Sequence, residues 1–236
     1  TVAMVGLYLA SHTSDAAAGT FGLTQQVLET LFVIFRVLAI GLGVVVTQLI
    51  GSGQRDAVQR TSYMALAAST WAGLLAASWL LFGKALTLDV LNAPAEVVPL
   101  AISYMLLLAP AMVLEAYNIS MAAVLRAHLF ARESLFIMIA MHGTHLLLAF
   151  VFMRGLGSWD GWGLNGYAVA FLLSRGVGLL LHLRFWQQRM GLHPTLHHWW
   201  ALPMRTLGPV LRIGLPGAAQ EPVSYTHLTL PTKRIV

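Results

Sequence analysis

The sequence predicts an all-α polytopic membrane protein: a helical bundle of about five full spans, preceded by the end of one helix and followed by the start of another. Three observations predict it. Hydrophobic residues fill 58% of the 236 positions and charged residues only 10%, far below the roughly one quarter that a soluble domain carries. Five apolar runs are each long enough to cross the hydrocarbon core, which takes about 20 helical residues. The basic residues of the intervening loops fall almost entirely on alternate sides. A mean hydropathy of +0.73 leaves no polar stretch large enough for a separate soluble domain. The absence of cysteine excludes a disulfide scaffold, an iron–sulfur centre and a thiolate zinc site.

The first span covers about 27–50 and stops at Gly51-Ser52-Gly53-Gln54-Arg55-Asp56. That run lacks the Gly-Lys-Ser/Thr of a phosphate loop and reads as a turn. The second span covers about 62–82, and 83–97, with Lys84, Asp89 and Glu96, reads as a short interfacial piece. The third, about 98–125, contains Pro110, which removes a backbone donor and is expected to kink the helix. The fourth covers about 135–153 and the fifth about 162–183. Gly161, Gly163 and Gly166 at the entry to the fifth allow close helix packing. Arg212-Ile213-Gly214-Leu215-Pro216 reads as the opening of a further helix.

Positively charged loops stay cytoplasmic. Arg55, Arg60, Arg126, Arg132, Arg184, Arg189, Arg205 and Arg212 fall on one side of the five spans, and only Lys84 and Arg154 on the other. A miscounted helix would scramble this alternation, so it supports the span count, and it puts 7–22 outside. Trp159, Trp162, Trp186, Trp199 and Trp200 lie near span ends, where interfacial aromatic anchors are expected. The basic residues are scattered rather than clustered with aromatics, so nucleic acid is not an expected partner. The lipid bilayer is.

A charge at the bilayer centre costs about 2.5–3.5 kcal/mol on insertion scales, so each one needs a partner or a purpose. Glu29 and Arg36 share a face of the first span but stand about 10 Å apart along the axis, which predicts that they do not pair directly. Glu115, with Asn118 just after it, lies in the third span and Arg175 in the fifth. These residues fit an ion or proton pathway, or a static interhelical ion pair. His142 and His145 in the fourth span are spaced i, i+3 on one face. They could carry protons, ligate a metal, or bond across helices. His193-Pro194-Thr195-Leu196-His197-His198 reads HxxxHH and resembles one histidine box of membrane di-iron desaturases and hydroxylases. Such enzymes use about three boxes on the cytoplasmic side, and the other histidines do not supply them. An interfacial segment beside Trp199 and Trp200 is the competing reading, and no metal site is expected.

In order along the chain, several landmarks resemble the MATE family of multidrug and toxic-compound extrusion transporters. Thr1-Val2-Ala3-Met4-Val5-Gly6 resembles the family's D-T-x-x-M-V-G at the end of helix one, and Gln48 to Ala57 its Q-x-x-G-A-G loop after helix two. Leu125-Arg126-Ala127-His128 is similar to the L-R-A-x-G ending helix four, with Leu129 in place of the glycine. Gly163 to Ala170 resembles the G-x-x-G-A-A-x-A opening helix six, and Ile213 to Pro216 the I-G-L-P opening helix seven. On this resemblance the five spans are helices two to six. Residues 1–206 are then an amino-terminal six-helix lobe, incomplete at its start, and 207–222 the beginning of a second lobe. Val223 to Val236 resembles the translated read-through of a sequencing adapter and is set aside. Without its Lys233 and Arg234 the formal charge of +5 falls by their two charges. Both ends read as cut.

The resemblance implies a non-enzymatic antiporter of a bacterial inner membrane. It would export drugs or small organic cations by alternating access, coupled to H⁺ or Na⁺, with no other cofactor, and with a carboxy-terminal lobe of the same chain as partner. A lipid-linked precursor flippase of the same superfamily is an alternative, as is the di-iron oxidoreductase. The family's N-x-x-N-x-x-x-D in helix five aligns with His142, His145 and Ala149, so the carboxylate is missing. The expected substrate or ion pathway therefore comprises His142, His145, Glu29, Glu115, Arg36, Asn118 and Arg175.

Overall fold

The computed structural model describes residues 2–156 and 158–228, with side chains over 3–156 and 158–219. Among these, nine helices follow one another: α1 (Val2–Ser11), α2 (Asp15–Gly51), α3 (Arg55–Phe82), α4 (Lys84–Val90), α5 (Val98–Ala127), α6 (Ala131–Arg154), α7 (Gly163–Met190), α8 (Leu196–Trp200) and α9 (Met204–Leu228). Helices α2, α3, α5, α6 and α7 are long and apolar enough to cross a membrane. They are the five predicted spans. The tail set aside above begins within the last turns of α9 and continues over 229–236, outside the described residues.

The first span starts earlier than expected. Of residues 7–22, all but 12–14 are helical: α1 runs to Ser11 and α2 starts at Asp15. Ser14 caps α2, its Oγ accepting from Ala17 N at 3.0 Å, and Asp15 sits in the first turn where the helix dipole favours a negative charge. Thr20 and Thr24, polar residues that suggest a loop, are instead fully buried on the packed face of the helix. At 37 residues and 1.5 Å per residue, α2 is about 55 Å long, so it tilts or extends past a hydrocarbon core of about 30 Å. The short interfacial piece is α4, and α5 runs through Pro110 as one helix.

Helix α3 packs along α5, α6 along α7, α5 against α2 and α7, and α9 along α2. Gly166 takes the predicted role: a Cβ there would lie 2.3 Å from Phe152 O, so α7 meets α6 backbone to backbone. Helices α2 and α9 interlock in the same way. A Cβ on Gly41 would lie 2.0 Å from Val210 O, and one on Gly214 2.0 Å from Val37 O. The outer side of α6 exposes Leu135, Phe136, Ile139, Leu147 and Phe150, an apolar face suited to lipid.

Two of the five tryptophans pack against neighbouring helices. Trp186 is fully buried and donates from Nε1 to Met121 O at 3.3 Å, tying α7 to α5. Trp199 packs edge-on against Tyr117, and its carbonyl accepts from Thr70 Oγ1 at 2.6 Å. Helix α8 is thus folded against α3, held by main-chain carbonyls that accept from Thr70 and Trp71, with the Trp199 ring reaching Tyr117 of α5. Trp159 and Trp162 pair edge-on at 5.2 Å and remain partly exposed, as does Trp200.

Candidate functional site

Polar side chains converge where α5, α6 and α7 meet. Helix α5 carries Glu115 and Asn118 at i, i+3, and α7 carries Arg175, Gly178 and His182 at i, i+3 and i+7, so each set lies on one helix face. Gly178 is what lets the two faces touch. A Cβ there would lie 2.6 Å from Asn118 Oδ1 and 2.7 Å from Met141 Sδ.

Arg175 Nε lies 2.6 Å from Glu115 Oε2, with the side chains only 4% and 11% exposed. The contact is an ion pair without the alignment of a hydrogen bond, and Arg175 Nη1 has no hydrogen-bond partner among the described residues. The guanidinium also stacks over the Phe171 ring at 4.1 Å, where the ring quadrupole attracts a cation. The static interhelical pair expected as one reading of these two residues is present.

Asn118 is the hub. Its Nδ2 donates to Leu114 O and to Arg175 O, both at 2.9 Å, which leaves Oδ1 as acceptor. His182 Nδ1 lies 3.0 Å from that Oδ1 and 3.0 Å from Gly178 O. Both neighbours only accept, so Nδ1 carries the hydrogen. In the neutral ring Nε2 then holds a lone pair, and it is buried with no partner among the described residues.

A cavity of about 220 Å³ opens here, bordered by Glu115, Asn118, Arg126, Ser134, His142 and His182. Arg126 Nη1 donates to Ser134 Oγ at 3.3 Å and has no ion-pair partner among the described residues. The two histidines of α6 part company. His142 lines the cavity, whereas His145 is buried between α6 and α7, edge-on to Tyr167 at 4.6 Å and to Phe171 at 5.4 Å. Neither of its ring nitrogens has a partner among the described residues. Ala149 lies in the core one turn further on.

Glu29 and Arg36 do pair, contrary to expectation. Arg36 Nη1 lies 3.7 Å from Glu29 Oε2, and Nη2 donates to Glu29 O at 3.3 Å. The axial rise alone suggests too long a gap, but helical side chains lean toward the amino terminus, and the long arginine reaches back over it. Both side chains are half exposed, at 54% and 41%, on α2. They do not join the α5–α7 cluster.

The HxxxHH run also resolves into structure. His198 stacks on Tyr63 with ring centroids 3.9 Å apart, and its Nδ1 accepts from Thr195 N at 3.0 Å, capping α8. Among the described residues no three His, Asp or Glu converge as metal ligands. The capping contact requires an unprotonated Nδ1. Burial, and secondarily the neighbouring His197, lower the His198 pKa below its ordinary value. The unfolded segment therefore binds a proton more readily than the docked one. Docking of α8 is expected to be complete above about pH 6.5 and to weaken as the pH falls below it. Hydrogen exchange over 193–203, faster at pH 5 than at pH 8 after correction for intrinsic rates, checks this, and His198→Gln should flatten the difference.

His182, Arg126 and Ser134 are functional candidates that the sequence reading passed over. His182 was legible as the i+7 partner of Arg175 across Gly178, since two polar residues on one face of an apolar helix mark an inward-facing stripe.

A bundle of membrane-length helices built around a buried ion pair and histidines at mid-span defines an integral membrane protein with an intramembrane polar site. The MatE family model matches residues 1–151. The chain belongs to the MatE family. It is 23% identical over 215 residues to the uncharacterized transporter YisQ of Bacillus subtilis (strain 168), covering 91% of this chain and 47% of that one. A solved MOP superfamily transporter from Pyrococcus furiosus, described as having a binding pocket of reverse polarity, superposes with a TM-score of 0.80 at 22% identity. A multidrug resistance MATE family transporter in an outward-facing conformation also gives 0.80 at 22% identity, and one in an inward-facing conformation gives 0.75 at 22%. These superpositions cover 90–93% of this chain and 48% of each of those chains. The chain thus spans about half the length of the relatives it matches. Those relatives are transporters rather than enzymes.

Proposed function

We propose that the chain forms the amino-terminal lobe of a cation-coupled exporter of drugs or organic cations in a bacterial inner membrane. Residues 1–206 supply the lobe and 207–222 begin a second, with which it alternates access. The observation that carries this reading is the Glu115–Arg175 pair bordering a cavity shared with His142 at mid-span. A buried charge there is costly and is kept where it serves a pathway. Coupling by H⁺ or Na⁺ needs a group whose charge the passing cation can offset, and this cluster offers a carboxylate and imidazoles in place of the aspartate that Ala149 replaces. Glu115, and Glu29 on the open side of α2, supply charge for a cationic substrate, while Arg36 and Arg175 hold those carboxylates in place. Asn118 keeps α5 and α7 in register.

The test is efflux of ethidium from cells making the full-length protein. The double variant His142→Ala/His145→Ala should reduce efflux several-fold more than it reduces protein level, and unchanged efflux per molecule contradicts the assignment.

One observation favours a second reading, the lipid-linked precursor flippase. With Glu29 and Glu115 both paired, Arg126 is the charge left to face the cavity without a counter-ion among the described residues, and a cation there suits a phosphorylated headgroup. Loss of anionic-lipid binding in Arg126→Gln, with ethidium efflux unaffected, would favour it.

A further inference from the structure

We infer that the coupling ion is a proton and that its acceptor is the buried Nε2 of His182, toward the basic-loop end of α7. This rests on the cation-coupled reading above and names the ion and the atom. Four features of the geometry lead to it.

The tautomer is set by the surroundings. Asn118 spends both Nδ2 hydrogens on Leu114 O and Arg175 O, so its Oδ1 accepts, and His182 Nδ1 must donate to it and to Gly178 O. The free lone pair of the ring is therefore on Nε2. That atom belongs to a residue 2% exposed, lacks a partner among the described residues, and sits on a ring that lines the α5–α7 cavity. An unsatisfied buried acceptor is costly. A histidine placed this way trades that cost for the ability to take up a proton without first breaking a bond.

The cavity also supplies a route. It is bordered by Glu115 and Asn118 at mid-span and by Arg126 and Ser134 at the end of α5 and the start of α6. Eleven residues of α5 separate Glu115 from Arg126, about 16 Å of axial distance, so the cavity leads from mid-membrane toward the side of the basic loops. By the positive-inside rule that side is the cytoplasm.

The charges facing the cavity link proton uptake to conformation. Glu115 and Arg126 face it from α5, His142 from α6 and Arg175 borders it from α7 through its pair with Glu115. Glu115 is the one carboxylate among these, and it is held by Arg175. Asn118 joins the His182 ring to the Arg175 backbone. A proton from water forms the N–H bond at Nε2 and charges the ring that bonds Asn118, so proton uptake acts on the α5–α7 contact through Asn118. Release of the same proton to cytoplasmic water restores the neutral ring. A site whose proton affinity differs between two arrangements of the helices is what coupling requires.

The test uses the full-length protein in proteoliposomes with ethidium as probe. His182→Asn retains a donor near the Nδ1 position for Asn118 and removes the titratable nitrogen. Ethidium transport driven by a pH gradient should fall about tenfold or more, while ethidium binding stays within about twofold and gradient-free exchange persists. Wild-type transport driven by a pH gradient that survives in His182→Asn overturns the inference. Wild-type transport driven by a sodium gradient and not by a pH gradient also overturns it, while leaving the cation-coupled reading intact. No wild-type transport on either gradient overturns the cation-coupled reading itself. Nitrogen-15 spectra of the histidines then judge the acceptor separately, and they serve equally if His182→Asn fails to accumulate. His182 Nε2 moving from the unprotonated to the protonated shift over the pH range in which transport responds to the gradient supports it, and a ring that does not titrate in that range overturns it.

Discussion

Replacing Arg175 by Ala should lower the stability of the bundle by about 3–5 kcal/mol, the usual cost of removing one partner of a buried ion pair. The loss is large because Glu115 is left charged and nearly fully buried, its one close cation gone. The stack on Phe171 is lost at the same time. Thermal unfolding in detergent should show a clear drop in Tm with reduced protein yield. The double replacement Glu115→Gln/Arg175→Met removes both charges and keeps much of the volume, so it should recover most of the loss. Equal destabilisation in the single and double variants would mean that packing, and not charge pairing, joins α5 to α7 here.

Gly41→Ala should push α9 away from α2. The added Cβ would lie 2.0 Å from Val210 O and 2.8 Å from Val210 C, backbone atoms that cannot rotate aside. Overpacking of this kind costs about 1–3 kcal/mol. Gly214→Ala meets Val37 O at the same 2.0 Å from the opposite helix. Because one separation of the helices relieves both clashes, the double variant should cost clearly less than the two single effects added together. A double-mutant cycle on thermal unfolding measures this. Additive losses would show that the two contacts yield locally and do not act as one interlock.

Most of the fold was legible because membrane spans are written in composition. A run such as 98–125 has no soluble interpretation, and the loop arginines report which side each end is on. The start of α2 was hidden because Thr20 and Thr24 carry polar side chains that a linear reading assigns to a loop. Within a bundle a threonine packs as a small branched residue, and only the neighbouring helices reveal that. The burial of Trp186 was hidden in the same way, since an indole near a span end suits an interface as well as a core. The candidate site was half legible. Glu115, Asn118, Arg175 and His142 stood out as polar residues in apolar runs, and they converge. His182 lies near the basic-loop end of α7, and its spacing from Arg175 across Gly178 is the one sequence signal that marks it. The Glu29–Arg36 pair is invisible to axial rise alone, which ignores the reach of the arginine side chain.

Exchange of a cationic substrate for a coupling ion by the full-length protein is the most direct test of the proposed function. Purified protein in proteoliposomes, given ethidium and an imposed gradient of either H⁺ or Na⁺, should move the dye opposite to the ion and stop when the gradient is collapsed by ionophore. Dye movement unaffected by either gradient, or none at all alongside binding of an anionic lipid-linked ligand, would contradict it.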